Sequence, residues 1–179
     1  MGILQSGEKR PEPDSGHDEA PTDAEATPET TDTELLRAAG NAKMEAGDAQ
    51  GAVELYRQAV AAAGDAVHPA RAALLNMSYA KAELNDLAAA EEAATAALEL
   101  GVCAKGLFRR AVARRRMKDL EGAYEDLHRA LALAPDEPEL QSEKRKLIAT
   151  AQRHEEEQAR LAKQTAAASL EEWLAPGAV

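Results

Sequence analysis

A threefold internal repeat constrains the fold of this chain more than any other feature of its sequence. Three segments superpose, at residues 33–64, 71–100 and 104–135, and each contains a polar turn with an aspartate at the same position, where it is expected to cap the second helix. Repeats of roughly 34 residues that combine two helices and a turn stack into a solenoid, because one unit cannot bury its apolar face alone. The recurring positions are an aspartate (Asp48, Asp86, Asp119), two alanines (Ala52, Ala90, Ala123 and Ala59, Ala97, Ala130) and a third apolar position (Tyr56, Ala94, Leu127).

The composition favours helices throughout. Hydrophobic residues make up 45% of the chain, and many of them are alanine, whereas aromatic residues make up only 3%. Alanine has the highest helix propensity, and Val, Ile and Thr never alternate over the length of a strand. We therefore predict an all-α fold, in which three helix-turn-helix repeats form a superhelical array that ends in a long capping helix.

The flanking segments differ from the repeats in composition. Acids, Pro and Thr dominate residues 1–30, which cannot bury enough apolar surface to offset the entropy of ordering, so we predict disorder there. A capping box at Thr31-x-x-Glu34 predicts the start of the first helix. The predicted domains are the acidic segment 1–30, the repeats within 31–136 (about 32–64, 69–101 and 103–136), the capping helix 137–165 and a flexible tail 166–179.

The first repeat carries a recognisable signature. It reads Asn41-x5-Gly47-Asp48-x3-Ala52-x3-Tyr56-x2-Ala59, with Gly40 ahead of it, and so resembles the tetratricopeptide repeat family. The resemblance implies that the superhelical array is right-handed. The sequence departs from that family at Lys43, where a bulky aromatic residue is common. It departs again at Lys118, because Gly47 and Asn85 at the equivalent turn position tolerate a left-handed conformation better than Lys does.

A basic run from Lys105 to Lys118 holds seven cations and no acid, in a chain of formal net charge −11. Like charges on one helix repel each other, so we predict that some of them face a groove and bind an anion. We expect Arg114, Arg115 and Arg116 to lie on a solvated face, with Arg116 as the one that reaches the groove.

Five positions on the first helices of the repeats form a candidate binding site. Arg37 and Asn41 are four residues apart in the first unit, Lys105 and Arg109 are four apart in the third, and Asn76 lies between them. Side chains four apart share a helix face, so stacking should gather all five in one groove. Cations and amides are suitable donors for carboxylates, and a peptide that ends in an acidic residue presents two carboxylates close together.

These five positions resemble the dicarboxylate clamp of tetratricopeptide co-chaperones, with Arg37 where Lys is more usual. Segments 105–110 and 74–76 look most like the repeat domains of large immunophilins and myosin-chaperone-type adaptors. The resemblance implies that the groove binds the C-terminal Glu-Glu-Val-Asp tail of cytosolic heat-shock chaperones of the 90 or 70 kDa class. It also implies that Leu75, Tyr79 and Phe108 line the groove floor, with ordinary packing between helices as the alternative.

Other functions have less support from the sequence. The four histidines show no metal-ligand spacing, and no catalytic triad or phosphate-binding loop is visible, so we expect a non-enzymatic protein without metal or cofactor. Nucleic-acid binding by the basic run is opposed by the overall acidity and by the scarcity of stacking aromatics. The remaining alternative is a general protein-interaction scaffold that binds an unrelated peptide.

The sequence also bears on location and assembly. The single cysteine, Cys103, excludes an intrachain disulfide, and no run approaches the roughly 18 apolar residues that span a bilayer. We expect a cytoplasmic monomer. Met1–Ser6 fits the pattern for N-myristoylation at Gly2, and we expect membrane contact only if Gly2 is acylated, since one acyl chain alone binds membranes marginally.

Overall fold

The fold is built entirely from helices in the part of the chain that the structure, a computed structural model, describes, which is residues 28–174. This confirms the predicted all-α class. The short linkers of the repeats join their helices in pairs, and the last helix follows the third pair. The helices are α1 (Pro28–Glu45), α2 (Ala49–Ala62), α3 (Val67–Glu83), α4 (Leu87–Glu99), α5 (Ala104–Arg116), α6 (Leu120–Leu133) and α7 (Pro138–Leu174).

The two ends of the helical array differ from the sequence prediction. Helix α1 begins at Pro28, so Thr31 lies inside the helix rather than ahead of it, and residues 28–30 are helical. The rest of the predicted disordered segment lies outside the described residues. Helix α7 begins at Pro138 but continues to Leu174 instead of ending near residue 165, so most of the predicted flexible tail is helical.

The three turn aspartates cap the second helix of each repeat, as the sequence predicts. Each carboxylate accepts a hydrogen bond from the backbone N–H three residues later, which satisfies one of the donors that a helix N-terminus leaves unpaired. The bonds run from Gly51 to Asp48 (2.8 Å), from Ala89 to Asp86 (3.4 Å) and from Gly122 to Asp119 (3.0 Å).

The residue before each aspartate adopts the left-handed backbone conformation, with φ of 79° at Gly47, 61° at Asn85 and 71° at Lys118. Lys118 therefore takes the same conformation as its counterparts in spite of its side chain. A left-handed residue with a Cβ costs about 1–2 kcal/mol, so the third turn carries backbone strain that the first turn avoids.

The recurring small residues form the core between the helices. Ala52, Ala59, Ala90, Ala97, Ala123 and Ala130 are all essentially inaccessible, and so are Tyr56, Ala94 and Leu127. Gly40 has the same role on α1, because a Cβ there would lie 2.5 Å from the ring of Tyr56. Small residues let the backbones approach closely, which explains why a chain with few aromatics still packs buried hydrophobic clusters between its helices.

The first helices of successive repeats lie side by side. Helix α1 contacts α3, α3 contacts α5, and α5 contacts α7. One surface of the array is therefore formed by these four helices, and α7 takes the place of a further first helix. Across residues 28–174, no helix has both the length and the apolarity needed to cross a membrane.

Candidate functional site

All five predicted clamp residues lie on the helices that form this surface, which we call the groove. Arg37 and Asn41 are on α1, Asn76 is on α3, and Lys105 and Arg109 are on α5. The structure brings Asn41 and Asn76 into direct contact. It joins Arg109 to α3 through Tyr79, which lies one turn after Asn76, whereas no described contact joins Lys105 to the two amides.

The amide of Asn41 is held in a fixed orientation. Its Oδ1 accepts two hydrogen bonds, one from the hydroxyl of Tyr56 at 2.8 Å and one from Nδ2 of Asn76 at 3.0 Å. The Nδ2 group of Asn41 then has no partner among residues 28–174, so its two N–H donors are available to a ligand. A donor whose direction is fixed in advance loses less entropy when it binds a carboxylate.

Tyr56 stays a donor over the physiological pH range. Burial raises the pKa of its hydroxyl, and the nearby positive charge of Arg37 opposes that effect only in part. Arg37 lies one turn before Asn41 on α1, so the two residues share a face of that helix. A cation and a free amide donor are therefore neighbours at the α1 side of the groove.

Arg109 is held in the groove by aromatic rings rather than by an acid. Its guanidinium carbon lies 4.5 Å from the ring centre of Tyr79 and 5.5 Å from that of Phe108. Its Nε is buried without a hydrogen-bond partner, and burial lowers the pKa of the group. Cation–π contacts of this kind position a charge without neutralising it, so the guanidinium remains able to bind an anion.

Lys105 lies one turn before Arg109 and is exposed. It forms no ion pair with any described residue, and it lines a cavity of about 400 Å³ between α5 and α7 together with Phe108 and Arg109. A second cavity of about 350 Å³ lies beside Tyr79, Phe108 and Arg109. Tyr79 and Phe108 thus line a cavity of the groove, and their role in binding a peptide stays a prediction.

Most of the other cations in the basic run are structural. Asp126, which is 2% exposed, accepts hydrogen bonds from Arg110 at 2.7 and 2.8 Å and from Arg114 at 2.9 Å. Arg114 also pairs with Glu91 at 2.6 Å, and Arg115 pairs with the buried Glu143. The expectation that Arg114 and Arg115 lie on a solvated face is wrong, because acids on α4, α6 and α7 neutralise them.

Two predicted groove residues have other roles. Arg116 lines a cavity beside Tyr79, but its guanidinium donates to the backbone carbonyl of Ala82 at 2.6 Å and to Oδ1 of Asn85 at 3.1 Å, so it stabilises the end of α3. Leu75 is 6% exposed and packs in the core against Leu74 and Ala97 rather than in the groove. For Leu75, packing between helices is the correct interpretation.

Several residues of the groove and its support were not predicted from the sequence. Tyr56 orients Asn41 from α2, and its place in the repeat pattern was the available signal. Glu139, Ser142 and Lys146 of α7 line the cavity beside Arg109, but the face that a capping helix turns to the groove depends on how it docks. Within residues 28–174, no three His, Cys, Asp or Glu side chains are grouped so that they could hold a metal.

Paired helices, capped turns and small buried positions form a helical array with the tetratricopeptide repeat fold, and solved tetratricopeptide domains are similar to it. The first such domain of Spaghetti (RPAP3), bound to the HSP90 peptide SRMEEVD, is 27% identical, with a TM-score of 0.61 over 68% of this chain and 94% of that one. The second domain of human RPAP3, in complex with the HSP70 peptide SGPTIEEVD, is 25% identical, with a TM-score of 0.61 over 67% and 98%.

The myosin chaperone UNC-45 from C. elegans, in complex with a Hsp90 peptide, is 28% identical, with a TM-score of 0.62 over 67% of this chain and 14% of that chain. No protein-family model and no curated protein sequence matches the chain. The structural neighbours are thus tetratricopeptide domains of the co-chaperone type, which agrees with the resemblance read from the sequence.

Proposed function

We propose that the groove binds the acidic C-terminal tail of a heat-shock chaperone of the 90 or 70 kDa class, and that the protein acts as a non-enzymatic adaptor. One observation carries the proposal. Acids neutralise Arg110, Arg114 and Arg115, whereas Lys105 and Arg109 face the groove without an acid within ion-pair distance among the described residues. These unpaired cations lie on the same surface as two amides that are already oriented.

The chemistry of the site suits a terminal acidic residue. Such a residue offers two carboxylates, and the groove offers the cations Arg37, Lys105 and Arg109 with the amide donors of Asn41 and Asn76. A hydrogen bond to a charged group contributes roughly 1.5–3 kcal/mol. The loss of one clamp residue should therefore weaken binding by about tenfold or more. Structural neighbours solved with chaperone peptides that end in EEVD support this assignment.

The direct test is a titration of a fluorescently labelled SRMEEVD peptide, followed by anisotropy. We expect Lys105→Glu to abolish binding, because the substitution places an acid where the ligand carboxylate needs a cation. The matched control is Lys163→Glu, which makes the same charge change at an exposed position of α7 far along the helix. Circular dichroism should show unchanged helicity in both variants. Normal peptide binding by folded Lys105→Glu would refute the proposal.

Two further ligands separate the alternatives. A peptide with an amidated C-terminus should bind at least tenfold more weakly, since it lacks one of the two carboxylates. Equal affinity for the amidated peptide would favour a scaffold that recognises some other feature of its ligand. Binding of single-stranded RNA in place of the peptide would favour phosphate recognition. A cytoplasmic location belongs to the same proposal, because the proposed partner is cytosolic.

A further inference from the structure

Acids as well as cations line the cavities of the groove, and of Glu83, Glu137 and Glu139 only Glu139 borders both the cavity of about 400 Å³ and the cavity of about 350 Å³. We propose that Glu139 of α7 selects peptides that carry a basic residue several positions upstream of their acidic end. This inference rests on the proposed function and adds a determinant of ligand preference to the same groove. The occupant it implies is a peptide that is acidic at its C-terminus and basic about five residues before it.

Glu139 lies where the two cavities of the groove meet. It lines the cavity of about 400 Å³ with Lys105 and also the cavity of about 350 Å³ with Arg109. Its negative charge acts on Arg109, although burial has the larger effect on the pKa of that residue. Glu139 forms no hydrogen bond or ion pair with any residue between 28 and 174, so its carboxylate is exposed on the groove wall without a partner.

An unpaired acid beside a carboxylate site is unfavourable for an acidic ligand unless the ligand also brings a cation. Lys146, the basic residue of α7 that lines the same cavity, lies 3.7 Å from the buried Glu143. Lys105 and Arg109, which share cavities with Glu139, are the cations that the proposed function assigns to the carboxylates of the ligand. A basic side chain of the ligand is therefore the group that best complements Glu139.

The dimensions of an extended peptide fit this arrangement. Packed helices are about 8–10 Å apart, so the path from α3 past α5 to α7 is roughly 16–20 Å. Five extended residues span about 17 Å at ~3.3 Å per residue. In SRMEEVD the arginine precedes the terminal aspartate by five positions. With its terminal carboxylates beside Asn76 and its chain running towards α7, this peptide would bring its arginine to Glu139.

Glu139 also has a plain structural role, because it lies in the first turn of α7. An acid there stabilises a helix through its dipole. Replacing Glu139 could therefore weaken binding of every peptide by loosening α7. A double-mutant cycle removes this ambiguity, because a loss of affinity that is common to both peptides cancels when the two are compared on the same protein.

The cycle uses SRMEEVD and SQMEEVD, in which glutamine replaces the arginine, with the wild type, Glu139→Gln, Glu139→Lys and the control Glu156→Gln. Dissociation constants are measured by calorimetry at low salt. We expect the wild type and Glu156→Gln to bind SRMEEVD about two- to fivefold more tightly than SQMEEVD, as is typical of a partly exposed ion pair. Glu139→Gln should abolish the difference, and Glu139→Lys should reverse it.

The possible failures can be told apart. If the wild type binds neither peptide, the proposed function itself is wrong and this inference falls with it. If both peptides bind but the preference for arginine persists in Glu139→Gln, only the role of Glu139 is refuted. If the wild type shows no preference and Glu139→Gln binds both peptides more tightly by the same factor, Glu139 merely repels acidic ligands. This outcome also overturns the inference.

Discussion

Asp126 is the acid whose removal should have the largest effect on stability. Its carboxylate is 2% exposed and accepts three hydrogen bonds from Arg110 and Arg114, whose side chains are 15% and 21% exposed. Asp126→Asn keeps the shape of the side chain but removes the charge, so two cations in the interior lose their shared acid. Breaking a buried ion pair costs about 3–5 kcal/mol. Because both arginines retain some solvent contact, we expect about 3 kcal/mol.

The assay is urea denaturation at neutral pH, followed by far-ultraviolet circular dichroism. The matched control is Glu125→Gln, which removes one negative charge at the preceding, exposed position and should change the unfolding free energy by less than about 0.5 kcal/mol. Peptide affinity of folded Asp126→Asn should stay within about twofold of the wild type. An unfolding free energy within about 1 kcal/mol of the wild type would refute the view that Arg110 and Arg114 are structural.

Three smaller effects follow from local geometry. Tyr56→Phe should lower the unfolding free energy by about 1 kcal/mol and weaken SRMEEVD binding several-fold, because Asn41 loses one of its two donors; unchanged affinity would contradict the orienting role. Lys118→Gly should raise the unfolding free energy by about 0.5–1 kcal/mol, since glycine relieves the left-handed strain. A lower unfolding free energy in this variant would contradict the strain assigned to Lys118. Hydrogen bonds from Arg57 and Gln58 lower the pKa of Glu54 from 4.5 to about 2. The unfolding free energy of the wild type should therefore exceed that of Glu54→Gln by its full amount above pH 4.5, and this difference should disappear as the pH falls to about 2.

The sequence predicts most reliably those features that depend on a few neighbouring residues. Asp48, Asp86 and Asp119 could be assigned as caps because a cap bonds to a backbone N–H three residues away. The buried alanines could be assigned because their period follows from the repeat. The i, i+4 spacing on α1 and α5 likewise indicates which clamp residues share a helix face, although their role in binding stays a proposal.

Features that depend on distant partners could not be predicted from the sequence. From the sequence alone, the basic run is expected to be exposed to solvent, because the acids that neutralise Arg110 and Arg115 lie far along the chain, on α6 and α7. Leu75 follows the groove-facing pattern of α3 only approximately, and its burial depends on how α3 packs against α4. The orientation of the Asn41 amide depends on the hydroxyl of Tyr56, fifteen residues away on another helix.

The continuity of α7 has a practical consequence for fluorescence. The only tryptophan of the chain, Trp173, is 76% exposed near the end of this helix, whereas Glu139 in its first turn borders the groove. At ~1.5 Å per residue along a helix, the two residues are about 50 Å apart. A peptide in the groove is too distant to quench or shift the indole emission. Intrinsic tryptophan fluorescence should therefore stay constant during a peptide titration and report instead on fraying at the far end of α7.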